Sequence, residues 1–136
     1  MRFIDTNIFI RLLAADDETK SDACFRLFQK VQSGEEPVTT SEAIIAEVVY
    51  VLSSPSLYNL SNEDIAARLA PIISLRGLQL RYKRTYLHAL DLYSAQPFLD
   101  FEDALAVAHM DRQGISEIVS YDRDFDRVPR VKRIEP

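Results

Sequence analysis

Short apolar segments of strand length alternate with longer helical segments along the whole chain, and no Asn-Gly or Asp-Gly dipeptide joins two of them. Two-residue hairpins lean on such dipeptides, whereas parallel strands need a helical crossover between them. The alternation therefore restricts the chain to an α/β fold with a mostly parallel sheet wrapped by helices. Arg2-Phe3-Ile4-Asp5 reads as a first strand ending on an acid. Asn7–Ala15 is apolar nearly all round and is expected to be a buried helix. Ala23, Leu27 and Val31 recur at helical spacing between Lys20 and Ser33. A second strand is expected at 37–40, followed by a helix from Glu42 to Leu52 with Ser41 as its N-cap. Ser61 and Asp64 approximate a capping box that opens a helix to about Ser74. Leu78-Gln79-Leu80 alternates like a strand, and a further helix is expected over 86–96. Asp100 opens another helix, closed by Gly114, and strands are expected at Glu117–Ser120 and Val131–Ile134. The three glycines, Gly34, Gly77 and Gly114, each sit where a helix can end.

At 136 residues, with 47% hydrophobic and 27% charged side chains, the chain is expected to form one domain over 1–136 with a core of its own. Cys24 has no partner for a disulfide, and no apolar run approaches the ~18 residues that span a bilayer. The Met1-Arg2-Phe3-Ile4-Asp5 start lacks signal-peptide anatomy, so a cytoplasmic protein with no membrane association is expected. A net charge of −5 excludes a general, histone-like grip on nucleic acid. Residues 1–68 hold that entire excess, and the second half is neutral, with bases clustered at 76–84 and 123–133.

In a parallel sheet, sites lie beyond the carboxyl ends of the strands. Asp5 ends the first strand, and Asp122 lies two residues past the strand that closes at Ser120. Glu47 has Ala43, Ile44, Tyr50 and Val51 as its helical neighbours, which puts a carboxylate in an apolar stripe. A carboxylate so placed needs a cation, a proton or a position at the rim. Asp103 stands in the first turn of its helix, where an acid also complements the helix dipole, and Asp100 is the expected N-cap. Four converging carboxylates call for a cation between them, and all-oxygen donors suit Mg²⁺ or Mn²⁺ over zinc. His88 and His109 are isolated and are expected to be packing or surface residues. Carboxylates holding one or two hard ions suit phosphoryl chemistry, with Thr6 and Asn7 adding a hydroxyl and an amide beside Asp5. Other motifs fail. No glycine pair has phosphate-loop spacing, and no serine sits in a nucleophile elbow. The acid run at 122–126 misses a calcium loop, because Arg127 stands at the glycine position and Arg133 at the bidentate-acid position.

Phe3-Ile4-Asp5-Thr6-Asn7, Glu47 in its helix, the run from Asp100 to Ala108, and Ser120 to Asp126 together resemble the motifs of PIN-domain ribonucleases. The short single-domain form most resembles the VapC-like toxins of bacterial and archaeal toxin–antitoxin pairs. The resemblance spans Phe3 to Asp126 and implies a three-layer α/β/α sandwich with a central, mostly parallel sheet. It implies Mg²⁺- or Mn²⁺-dependent RNA cleavage, a homodimer and a cognate antitoxin whose tail covers apolar helices and presents a base to the acids. Carried over by position, Asp5, Glu47, Asp103 and Asp122 are the metal-binding acids and Thr6 the accompanying hydroxyl. The expected RNA-holding groove draws on Arg76, Arg81, Lys83, Arg84, Arg123 and Arg127. Two alternatives compete: a non-catalytic PIN-like binding domain, and a phosphatase on a related sheet with Asp5 as nucleophile. Asn7 stands where that phosphatase class prefers a second acid.

Overall fold

The computed structural model describes residues 1–136. Four short strands, β1 (Arg2–Phe3), β2 (Val38–Thr39), β3 (Glu117–Val119) and β4 (Lys132–Ile134), are interleaved with six helices. These are α1 (Thr6–Ala14), α2 (Glu18–Ser33), α3 (Glu42–Ser53), α4 (Asn62–Ile73), α5 (Lys83–Ala95) and α6 (Phe101–Gln113). A 3₁₀ turn, Arg123–Arg127, lies between β3 and β4. The architecture is the expected α/β/α sandwich, and every strand pairing is parallel.

The sheet is hydrogen-bonded in two halves. β1 pairs with β2, with Arg2 opposite Val38, and β3 pairs with β4, with Ile118 opposite Arg133. The segment at Leu78 contributes a single bridge to Val38 rather than a strand. Gly77 explains how it gets there. Its N–H donates to the Val31 carbonyl at the end of α2, and a Cβ at this position would stand 2.2 Å from that oxygen. Gly34 and Gly114 close α2 and α6 in the left-handed conformation as expected. Gly77 instead serves close packing between segments, a correction to its reading as a cap.

Local capping fixes the helix starts. Ser41, Ser61 and Asp100 each accept a hydrogen bond from the N–H three residues on, at 3.2, 3.1 and 2.8 Å. The main core joins Phe9 and Ile10 of α1 to Ile45, Val48, Val49 and Leu52 of α3 and to the inner faces of α4, α5 and α6. A second, smaller cluster of Leu99, Val107, Phe125 and Val128 fastens the 3₁₀ turn onto α6. Fully burying a side chain of this kind is worth roughly 1.5–3 kcal/mol, enough to hold a five-residue turn in one place. No helix is long and apolar enough to cross a membrane.

Candidate active site

The candidate acids fall into two groups, each placed by a different part of the core. The first is built on the start of α1. Asp5 leaves β1 in an extended conformation, and its side chain makes no capping bond to its own helix. Thr6 is buried, and its hydroxyl donates to Glu47 Oε2 at 2.7 Å. The main core positions this pair, because Phe9 and Ile10 lock α1 against the face of α3.

Glu47 itself is exposed. The core stripe of α3 is Ile45, Val48, Val49 and Leu52, an i, i+3, i+4, i+7 set, and Glu47 lies off that stripe at the rim. Two of its apolar helical neighbours, Ala43 and Tyr50, are exposed as well. The expectation of a carboxylate inside an apolar stripe is thereby corrected. Apolar neighbours mark the core only when they share its side of the helix.

The second group gathers at the start of α6. Asp100 Oδ1 accepts the Asp103 N–H, which brings the two acids side by side. The Leu99–Val107–Phe125–Val128 cluster presses the 3₁₀ turn onto the same end of α6. Asp122 caps that turn, accepting the Asp124 N–H at 2.9 Å. The Asp103 carboxyl is pushed up to about 6, first by partial burial, then by the negative charges of Asp100, Asp122 and Asp124.

Helix pairing relates the two groups. His109 Nε2 meets Glu42 Oε1 at 2.5 Å, tying the C-terminal half of α6 to the start of α3. At the other end, Val49 and Tyr50 of α3 border the same cavity as Phe101 and Glu102 of α6. The two helices thus run antiparallel. At about 1.5 Å per residue, Glu47 lies about 7.5 Å along from Glu42 and Asp103 about 9 Å back from His109. The pairing therefore carries Glu47 and Asp103 to about the same level.

None of Asp5, Glu47, Asp100, Asp103, Asp122 and Asp124 pairs with a lysine, arginine or histidine, whereas acids elsewhere do. Asp126 is one of the paired acids: it is held by Arg133 at 3.0 Å and belongs to the turn rather than the acidic group. The donor set offered to an ion is entirely oxygen, crowded by like charge and lacking an internal counter-ion. That chemistry fits a hard divalent cation. No three of these side chains already stand at ion-binding distance.

The expected basic groove needs one correction. Lys83 Nζ donates to the carbonyls of Leu75 at 2.6 Å and Leu78 at 2.8 Å, and burial lowers its pKa. It closes the end of the segment after α4 and is spent there. Arg76, Arg81, Arg84, Arg123 and Arg127 remain exposed, Arg81 lying against the Tyr82 ring and Arg127 against the Phe98 ring. The histidines are not isolated: His88 pairs with Asp111 at 2.7 Å, and His109 with Glu42. Separations of 23 and 67 residues leave no local signal for either pair.

The chain is 30% identical to the VapC ribonuclease Mb1869c of Mycobacterium bovis over 135 residues, 98% of this chain and 99% of that protein. It has the same identity and coverage with Ribonuclease VapC13 of Mycobacterium tuberculosis. It is 27% identical over 128 residues to a VapC ribonuclease of Aquifex aeolicus, covering 94% of this chain and 92% of that protein. The PIN domain family model matches residues 2–131. With that match over nearly its whole length, the chain belongs to the PIN domain family.

Proposed function

We propose that this protein is a metal-dependent endoribonuclease that hydrolyses RNA phosphodiester bonds as the toxin of a toxin–antitoxin pair. The observation that carries the reading is the set of acids left without internal counter-ions at the start of α1 and α6, in a chain aligned end to end with VapC ribonucleases. In this reading Asp5, Glu47, Asp103 and Asp122 hold Mg²⁺ or Mn²⁺. The bound ion neutralises phosphate charge and activates a water for in-line attack.

The chain's own residues do the rest. Thr6 fixes the Glu47 carboxylate by a hydrogen bond to one oxygen, leaving the other free. Asp100 orients the first turn of α6, from which Asp103 projects. The 3₁₀ turn presents Asp122, and Asp124 adds negative charge beside it. The exposed arginines at 76, 81, 84, 123 and 127 supply positive charge for the RNA backbone, which the acids alone would repel.

The partners follow from the same reading. The antitoxin covers apolar helix surface and brings a basic residue to the acids. Exposed Phe25, beside a cavity of about 170 Å³ that Leu12, Phe28 and Leu75 also line, offers such a surface. The active form is a homodimer in the cytoplasm, each copy adding its arginines to a shared groove.

The test is cleavage of purified RNA with Mg²⁺ or Mn²⁺, with the chelated protein and the Asp5→Asn and Asp103→Asn variants as controls. Ion-dependent cleavage lost in both variants is expected. Retained activity in both would remove these acids from the reaction. A phosphoenzyme trapped on Asp5 would favour the phosphatase reading instead.

A further inference from the structure

A cavity of about 550 Å³ opens between the C-terminal half of α3, the start of α4 and the segment leading into α6. Its volume lies within the range of small-molecule sites. Tyr50, Ser53, Asn62, Phe98, Asp100 and Glu102 line it. Asp100 also belongs to the acidic group, since its carboxylate accepts the Asp103 N–H. The cavity and the proposed cleavage site therefore share a wall.

The lining has a definite chemistry. Tyr50 is 69% exposed, a large aromatic on the surface with no aromatic partner. Phe98 has the Arg127 guanidinium 3.8 Å from its ring centre, which sets a positive charge beside the aromatic wall. The Asn62 amide donates one N–H to the Tyr93 carbonyl at 3.0 Å, and its second N–H and its Oδ1 have no partner within the protein. The Ser53 hydroxyl donates to the Tyr50 carbonyl at 3.1 Å and stands beside the Tyr93 hydroxyl. Asp100 and Glu102 are acceptors when ionised. The two carboxylates can only accept, whereas Asn62 keeps a free N–H and Tyr50 a hydroxyl, all set among aromatic rings.

Such a lining rejects phosphate and takes a flat, uncharged group that stacks and donates hydrogen bonds. Unpaired RNA bases are read in this way, by stacking on aromatic side chains and bonding along their edges. Bases differ in what they present: a carboxylate or amide oxygen accepts from an exocyclic amino group, and uracil carries a carbonyl where cytosine carries that amino group. We propose that this cavity seats an unpaired base next to the cleaved phosphate and selects bases with an exocyclic amino group over uracil. The placement next to the cut rests on the ribonuclease reading; the preference for an amino-bearing base rests on the cavity alone. Tyr50 stacks on the base, the Glu102 carboxylate accepts its amino hydrogen, Asn62 bonds the ring edge, and Arg127 faces the adjoining backbone.

Two measurements test this and fail independently. In the first, a randomised single-stranded RNA pool is cut by the full-length protein with Mn²⁺ and the ends are sequenced. One position within two nucleotides of the cut is expected to be depleted of uracil about fivefold or more, consistent with the worth of one base contact. Glu102→Gln, whose amide can donate to a uracil carbonyl, is expected to flatten that depletion, and Tyr50→Ala, a surface change that leaves the fold intact, is expected to weaken cleavage at all sites. An even base distribution, or depletion unchanged in Glu102→Gln, overturns the proposal. In the second, amide chemical shifts of the protein are followed on adding cytidine or uridine. Cytidine is expected to move the signals of Tyr50, Asn62 and Phe98 at about a fivefold lower concentration than uridine. Equal responses, or none, overturn the selectivity. A cytidine response in a protein that cuts no RNA would sink the ribonuclease reading and leave the base site standing.

Discussion

Thr6 donates its hydroxyl hydrogen to Glu47 Oε2 at 2.7 Å, joining the first turn of α1 to α3 across 41 residues of chain. The donor is buried and the acceptor is exposed, so the bond holds a rim carboxylate from the protein side. Thr6→Val keeps the shape and removes the donor. A loss of about 1 kcal/mol in stability is expected, the usual worth of such a bond. Cleavage is expected to fall by about tenfold or more, as when an outer-shell partner of a metal ligand is removed. Thr6→Ser restores the donor and is expected to recover most of the activity. Denaturant unfolding and RNA cleavage on the three proteins check this, and full activity in Thr6→Val would contradict it.

Asp103 strains the metal-free fold in a predictable direction. Its carboxyl sits at about 6, raised from 3.8 by burial and by Asp100, Asp122 and Asp124. In the window between those two values the folded state binds more protons than the unfolded one, so stability falls as pH rises through it. The cost is absent below the window and fully present above it. Asp103→Asn removes the charge. It is expected to stabilise the metal-free protein by on the order of 1 kcal/mol at pH 7, after allowing for solvent screening at this partly exposed site. The same change is expected to abolish cleavage. Thermal melts from pH 4 to 8 check it: the gap between variant and wild type is expected to open across the window and then stay level. A variant less stable than wild type at pH 7 would contradict the account.

Lys83 separates structural from RNA-holding bases. Lys83→Met leaves the Leu75 and Leu78 carbonyls without their donor and is expected to cost about 1–3 kcal/mol in stability. The salt dependence of RNA binding is expected to stay as it was. Arg84→Glu and Arg127→Glu are expected to reverse that pattern, with little change in stability and a shallower dependence of affinity on salt. Filter binding across a salt series, with melts on the same proteins, measures both sides.

Local signals were legible in the sequence, and relations across the chain were not. Ser41, Ser61 and Asp100 mark helix starts because a cap acts three residues away. Asp5 and Asp122 are readable as strand-end acids because the alternation of strands and helices says which ends share an edge. Glu47 was legible as an acid of interest, but its exposure was not. That depends on which of two apolar stripes on α3 meets the core, and Phe9 and Ile10 of α1 decide it. The Glu42–His109 bond that sets α3 against α6 spans 67 residues. Lys83 looked like one of a run of bases; only the carbonyls brought to it at the end of α4 show its use. The Leu78 segment alternates like a strand but makes a single bridge, in which the Gly77 carbonyl accepts the Val38 N–H and the Gln79 N–H donates to the Val38 carbonyl.

The central claim is that acids from α3, from α6 and from the starts of α1 and the 3₁₀ turn gather around a bound hard cation. An anomalous-difference map from crystals grown with Mn²⁺ tests it most directly. The account predicts density bounded by carboxylate oxygens of Asp5, Glu47, Asp103 and Asp122, at the ~2.0–2.6 Å distances usual for hard divalent ions. Mn²⁺ bound elsewhere, or a map without a peak among these four residues, would contradict it.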